Sequence, residues 1–547
     1  MRFDFAYNGN TTVESGATST RMSFAPDVRR APTYFSGELS QSLLFREAIS
    51  ALHDVVVGDL RFKPKDKTAY QEWLAQQELL DWQVIGAQRA DVTAKVNALH
   101  GELKDLRVRY AERMKPYNDA RNRFRQYAWQ KQLAISFLLD PVITVHPDEL
   151  FFECFSQDEA TYGRLGVDYE VFDNVGEFAC GTTNIDYSAS LNQEFQKIRT
   201  YKTTRFEIDP SGFEVNTTNE DTFREVKIDL PDSWVRGFLQ VSSAMTLPSV
   251  QCELHPMDVH NLCFVLRRHK EKQGPRGMRY HLKPGEPVRV VFEPWETEVV
   301  CPRSIYQGDQ PQEIRVWGRR RILMLERLIP IARKFTVHLL GTGMPSFYVA
   351  DLGPLSFTLG LSGWTANDWS RAGNFDLMAP RADVDDATKQ RVFAALKLGW
   401  MDDATSLAKH LDLDRKVVLG ALSAYAQAGR VMFDLNKQLY RVRELSREPL
   451  PMDQLRFANP READAARFIN TNAVTLTERR LDTTGLLHLA GRVSLGDKLL
   501  NPRLTLNRDE QLAGGECACN WHQQNKLRQG PCEHILALRM QHVRERR

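Results

Sequence analysis

Apolar residues recur along this chain in two periods, and the change from one to the other divides it. Over 41–57 (QSLLFREAISALHDVVV) the spacing is helical. From about Asp66 to Leu139 it is helical again. Val92, Val96, Leu99, Leu103, Leu106 and Tyr110 follow one another in alternating steps of four and three, an a/d seam that reaches back to Ile85. Pro116 ends this helix, because proline has no amide proton and clashes with the preceding turn. A second helix is expected over 118–139, with Phe124, Ala128, Ile135 and Leu138 on one stripe that Lys131 interrupts. The pair predicts an antiparallel helical hairpin, either packed within the chain or offered as a platform for oligomers or partners.

Between 140 and 230 the period shortens. LFFECF, YEVF, TRFEID and GFEVNT read as short strands, and Pro210-Ser211-Gly212 as a turn. Asp232-Ser233-Trp234 opens an amphipathic helix, and His255 to Arg268 forms another with Pro256 in its first turn. Strands are expected at MRYHL, VRVVFEP and EIRVWG, a helix over ILMLERLIPIARKF, and strands at FTVHLL and SFYVADL among Gly-rich turns over 335–380. From Asp385 to Arg443 three helices carry Val392, Phe393 and Leu396, then Leu407 and Leu411, then Val417, Val418, Ala421, Leu422 and Tyr425. A hairpin of VMFDL and QLYRVREL follows, turning at Asn436-Lys437. That order resembles a winged helix. Further on, Asn459 as cap, Pro460 and Glu462 mark a helix start. AVTLTE, LLHLAG and RLTLN then lead to a last helix from His534 to about Val543.

Composition changes little in this picture. Of 547 residues, 42% are apolar and 26% charged, as in an ordinary globular protein. The formal charge of +2 gives no whole-protein field for nucleic acid, so any such role rests on local clusters. Residues 1–40, rich in Ser, Thr, Gly and Asn, read as a loosely ordered arm or a short edge element. Eight cysteines make no disulfide framework in this length. Cys154, Cys180, Cys252, Cys263 and Cys301 are scattered and read as small buried thiols, which suits a reducing compartment. MRFDFAYNGN has neither the basic nor the apolar part of a secretory signal, and no run approaches the ~18 apolar residues of a membrane span. A cytoplasmic protein is expected.

The remaining three cysteines carry the chemistry. Cys517-Ala518-Cys519 is followed, after twelve residues, by Cys532-Glu533-His534. C-x-C and C-x-H together supply three thiolates and an imidazole, the ligand set of a closed tetrahedral zinc site with no open position for substrate. Gly530-Pro531 places Cys532 at a helix start, where amides and dipole favour a thiolate. Three thiolates on Zn(2+) leave one negative charge, which Lys526, Arg528 and Arg539 are close enough in sequence to screen. His522 is a rival ligand.

This motif resembles the SWIM-type zinc finger, in which C-x-C and C-x-H flank a variable spacer. The resemblance implies binding of DNA or protein without saying which. It extends to LPDSWVRGFLQVSSAMTLP (230–248), LHPMDVHNLC (254–263), VFEPWE (291–296) and VWGRRRILMLERLIP (316–330). These look like bacterial SWIM-domain proteins encoded beside a MoxR-type AAA+ ATPase and a von Willebrand factor A protein, in systems proposed for conflict or defence. Those two proteins are the partners the resemblance implies.

The expected fold is therefore α+β and multidomain: an N-terminal arm with a short helix (1–65), the coiled-coil-like helical hairpin (66–139), a β-rich mixed middle (140–380), a winged-helix-like module (381–445) and a C-terminal SWIM zinc finger (455–547). Other candidate sites are set against plain structural roles. Residues 264–283 hold seven Lys or Arg against one Glu, and Arg319, Arg320 and Arg321 form a second cluster; both could meet phosphates or stay solvated. Arg415, Lys416 and Lys437 are the basic residues of the winged-helix-like segment, fewer than groove reading usually needs. His255, Asp258 and His260 suit helix capping better than a metal, since His260 turns away from the other two. No Walker A, G-x-S-x-G, H-E-x-x-H or dinucleotide fingerprint occurs. The favoured reading is a non-enzymatic zinc-binding recognition or scaffold protein for nucleic acid or a target protein, with no catalytic or cofactor residues assigned. A stand-alone DNA-binding regulator is the alternative, and an enzyme hidden in 140–380 a third.

Overall fold

The computed structural model describes residues 12–15, 19–24, 33–58, 141–184, 195–201, 203–208, 232–270, 277–363, 368–370, 374–379, 384–445, 460–495 and 498–545. All belong to the unit formed by residues 1–59 and 138–547. The helical hairpin expected over 66–139, the turn at Pro210-Ser211-Gly212, the run GFEVNT and the cap at Asn459 lie outside the described residues.

The unit is mixed α/β, with several antiparallel sheets. At its centre is an eight-stranded sheet. In spatial order it runs Val250–Leu254, Lys334–Leu339, Ser346–Asp351, Leu355–Leu361, Thr161–Asp168, Glu149–Phe155, Val142–Val145 and Gly181–Asn184, every pair antiparallel. Glu149–Phe155 and Leu355–Leu361 are buried along their whole length. Such strands lose the alternation of a half-exposed sheet and read as continuous apolar runs. The covers on the two faces follow from the pleat. Cys154 pairs with Gly163, and both turn to the helix Ser42–Val56: an added Cβ on Gly163 would stand 3.2 Å from Val55 and 3.3 Å from Leu52. Phe155 pairs with Tyr162 on the other face, where their rings meet Phe238 of the helix Asp232–Met245.

The glycines explain why two strands escape the sequence pattern. Thr161–Asp168 carries Gly163 and Gly166, and Leu355–Leu361 carries Gly360, each at a close approach. YEVF is corrected from a strand to a single 3-10 turn, Tyr169–Val171, before the two-residue strand Phe172–Asp173. ILMLERLIPIARKF, expected as a helix, is wound as a 3-10 helix over Arg319–Leu328, and Lys334 and Phe335 go to the next strand. Arg319, Ile322, Leu325 and Leu328 are buried at steps of three, the period in which 3-10 side chains eclipse. Gly318 starts this segment in the left-handed region at φ 77°, and Pro330 follows it without an amide proton. Phe35–Leu39, expected in an arm or edge, is an inner strand between Thr203–Ile208 and Phe172–Asp173.

Residues 384–445 form three helices, Asp386–Gly399, Ala404–Leu411 and Arg415–Gln427, and a three-stranded sheet of Met401–Asp402, Leu439–Val442 and Val431–Asp434. Asp385, Asp403 and Asp414 cap the helices through their carboxylates. This segment has its own apolar core around Val392, Leu396, Leu407, Val418, Leu422 and Val442. Its hairpin is fastened to the central sheet by charge as well as by Leu435, which joins the core of that sheet. Arg441 and Arg443, both fully buried, reach Asp434 (2.8 Å), Asp148 (2.7 and 2.9 Å) and Glu149 (3.1 Å), and Glu153 (3.0 and 3.1 Å). Arg164 from the sheet bridges Glu149 and Asp434. His146 donates from Nε2 to the Val442 carbonyl at 2.7 Å, leaving Nδ1 to accept from Arg441 at 3.3 Å.

The C-terminal part comprises the helix Pro460–Asn470, a five-stranded antiparallel sheet, and the helices Asn520–Asn525 and Glu533–Arg544. Leu489, Leu504, Leu512, Cys517, Cys532, Ile535 and Leu538 belong to the same continuous core as the central sheet. Among the described residues, no helix is long and apolar enough to cross a membrane.

Candidate metal centre

The last sheet strand, Leu512–Glu516, delivers its chain directly to Cys517. Cys519 then caps the helix Asn520–Asn525, its sulfur accepting from the His522 amide at 3.4 Å. Gly530 turns the chain at φ 85°, and Cys532 stands at the N-cap of Glu533–Arg544 with His534 in the first turn. The result brings Cys517, Cys519, Cys532 and His534 together, with one ligand atom of each within 4.8 Å of all the others. All four atoms are buried, although Cys519 as a residue is half-buried. Thiolates on a tetrahedral zinc stand about 3.8 Å apart, from a Zn–S bond of about 2.3 Å, so the group is close to closure on one ion.

The donor chemistry fits a cation. Both ring nitrogens of His534 are buried without a hydrogen-bond partner. Glu533 Oε1 lies 3.3 Å from Nδ1 but out of hydrogen-bond geometry. An imidazole left so costs free energy that a metal ion would remove. The thiols say the same. Cys517 is held down to about 4, first by hydrogen bonding with Cys532, against the opposing effect of burial. Cys532 is pushed far up, first by that same bond and then by burial, and burial raises Cys519. Three sulfurs this close cannot all ionise on their own, and a divalent cation lets them. Four protein ligands leave no vacancy for a substrate, so the group can staple chain segments rather than turn over.

Packing around the cluster differs from the expectation that Lys526, Arg528 and Arg539 screen it. Arg539 is buried and donates to the carbonyls of Leu377 (2.9 Å), Ala379 (2.8 Å) and Glu510 (2.7 Å). Arg528 lies over the Trp317 ring, and Lys526 is exposed. Arg461 is a cation whose charge couples to that of Cys532. It stacks 4.3 Å over Trp521 and donates to Pro531 (2.9 Å) and Gln529 (3.1 Å). Phe468, from the same helix as Arg461, stacks on His534 at 5.6 Å. Sequence reasoning missed both residues because they lie more than sixty positions away from the ligands they support. The helix start at Pro460 was their only local signal.

Most described residues of the other candidates have partners within the chain. His255 caps its helix, Nδ1 accepting from the Met257 amide at 3.1 Å. Asp258 is buried and accepts from Ser304 (2.6 Å) and the Arg303 amide (3.1 Å), and His260 is exposed apart from both. Arg319 is buried against the carbonyls of Gly277 and Glu293, Arg320 reaches the Leu266 carbonyl at 3.2 Å, and Arg321 pairs with Asp158. Within 264–283, Arg267 pairs with Glu326, Arg279 with Glu293 and Glu296, and Lys283 with Glu286. Lys437 faces Asp148, Glu149 and Asp168, while Arg415 and Lys416 pair with Asp509 and Glu510 of the C-terminal part. Cys154, Cys252, Cys263 and Cys301 are buried as expected, but Cys180 is half-buried.

No known family model matches the sequence, and no curated protein matches it. Solved structures similar to part of it include proliferating cellular nuclear antigen from Entamoeba histolytica, at 10% identity over 41% of this chain and 89% of that one, with a TM-score of 0.29. Another is the A. fulgidus PCNA structure with the C-terminal region of FEN-1 bound, at 11% identity over 42% and 91%, with a TM-score of 0.27. Likeness at this level defines neither the fold nor the role of the chain.

Proposed function

We propose that this is a non-enzymatic, zinc-binding recognition and scaffold protein, whose SWIM-type C-terminal module is held together by one structural Zn(2+) on Cys517, Cys519, Cys532 and His534. The observation that carries this is the closed, buried Cys3His cluster. Three soft thiolates with one imidazole select zinc over harder divalent ions. When bound, the ion would tie the sheet strand ending at Glu516 to the last helix, and it supplies no catalysis. A target protein is favoured over duplex DNA, because Arg415, Lys416 and Lys437 of the winged-helix-like segment are engaged with carboxylates of the same chain. By the resemblance of 230–330 and of the zinc motif, the protein serves beside a MoxR-type ATPase and a von Willebrand factor A protein in a bacterial conflict or defence system.

Elemental analysis of the purified chain should give about one zinc, lost in the Cys517→Ser, Cys532→Ser double variant. Zinc content unchanged by those substitutions removes the assignment. A pull-down from native cells, with and without nuclease, separates the two kinds of target. Co-purification that survives nuclease supports a protein partner, and its loss supports the DNA-binding regulator instead.

A further inference from the structure

One side chain beside the cluster has no structural account. His522 is buried to 2% exposure, and its Nδ1 is buried without a hydrogen-bond partner. Leaving an imidazole nitrogen so in a folded chain is costly. The residue is rooted at the cluster, since its own amide donates to the Cys519 sulfur. Cys519 is at the same time the one ligand residue of the four that is half-buried rather than buried, and so the one that competing ligands reach first.

We infer that His522 is a reserve ligand, which takes the coordination position of Cys519 when that thiolate is lost, converting a Cys3His site into a Cys2His2 site that keeps its metal. The inference rests on the zinc reading above. Cys519 is the N-cap of the helix Asn520–Asn525 and His522 lies in its first turn, so exchange would turn the His522 ring about its own side-chain bonds within one short segment. Imidazole and thiolate are both accepted at tetrahedral zinc, and Cys3His and Cys2His2 are both stable structural sets. The site would then tolerate loss of its half-buried corner but not of Cys517 or Cys532, which lie in the core.

X-ray absorption at the zinc edge, with a chelator titration, tests this on the full chain. Wild type should show three sulfur ligands and one imidazole. Cys519→Ala should retain about one zinc with two sulfurs and the scattering of two imidazole rings. The double variant C519A/H522A should lose one ring and give up zinc to chelator at least tenfold more readily than C519A. H522A alone should keep the wild-type ligand shell. A C519A protein that loses zinc as completely as C532A overturns the inference, as does a double variant that holds zinc as well as C519A. If C519A and the milder C519S both unfold with their metal gone, that also counts against it, since the reserve ligand should have kept them folded. Wild type with no zinc at all refutes the site itself, a failure distinct from any of these.

Discussion

At the scale of single residues, two positions show how the fold constrains chemistry. Gly530 holds φ 85°, and a Cβ there would stand 2.6 Å from the Asn374 carbonyl oxygen. Gly530→Ala should therefore cost at least about 1–2 kcal/mol from the left-handed backbone alone, before the clash is relieved. Thermal melting should show the loss while zinc stoichiometry stays at one, because no ligand is touched. His146 is the second case. Burial, with the Arg441 charge after it, lowers its pKa from 6.5 to about 3, so it stays neutral where an unfolded histidine would take a proton. Between those two values the unfolded chain binds more protons, and stability falls as pH falls. Going from pH 7 to pH 5 this one group should remove about 2 kcal/mol. Burial raises the Asp148 pKa, but hydrogen bonds and charge from Arg441 and Lys437 outweigh it and hold the carboxyl well below its usual range, so this group adds loss in the same direction at lower pH. Denaturant titrations at the two pH values should show the slope in wild type and a shallower one in His146→Gln.

At the scale of elements, the hairpin Val431–Asp434 and Leu439–Val442 is the informative one. Its alternation gave away a hairpin, and its turn fell at Asn436-Lys437 as the residues suggested. What the pattern could not give is the destination of its arginines. Arg441 and Arg443 look like solvated strand residues, yet both are fully buried against carboxylates some 290 positions away in sequence. Pairing at such range leaves no local trace. Arg441→Ala takes one of two buried guanidinium partners from Asp434 and Glu149, leaving them to Arg164, and should destabilise by about 3 kcal/mol. Arg415→Ala breaks a pair with an exposed partner side and should cost under about 1 kcal/mol. Chemical unfolding distinguishes the two, and a duplex titration of R415A with K416A should match wild type, because both side chains serve the contact with Asp509 and Glu510. Other elements were legible for simple reasons. Asp232–Met245 and Pro256–Arg268 are amphipathic with clear starts, whereas Thr161–Asp168 hid behind Gly163, where a helix packs closely, and Gly166, set against Ser356. The Cys3His cluster was legible because its four donors sit in two short motifs, and its neighbours Arg461 and Phe468 were not, because packing alone brings them there.

At the scale of the whole described unit, the cluster is one end of a chain of attachments. Cys517 and Cys532 lie in the core that also holds the central sheet, and Ile535 and Leu538 of the last helix lie there too. From that helix Arg539 gathers the carbonyls of Leu377, Ala379 and Glu510, and Glu510 in turn receives Lys416 of the three-helix segment. Gln240 of the helix Asp232–Met245 holds the Phe375 amide at 2.6 Å and Asp376 at 2.8 Å, so the 374–379 turn is gripped from both sides. Removing the metal deprives the first turn of the last helix of its anchor, and free energy of metal binding is free energy of folding in such a module. The loss should therefore be local but spread along these attachments. The central strands Glu149–Phe155 and Leu355–Leu361 keep their pairing and their two helical covers without the ion. Hydrogen exchange after chelation should rise first over 512–545, then over 374–379 and 460–470, while 149–168 and 346–361 stay protected. Exchange that rises uniformly over the unit would mean that the ion holds the whole core, and no rise anywhere would mean that the last helix stands on its packing alone. The graded pattern is the one these contacts require, because each step away from Cys532 is held by more bonds that do not involve the metal.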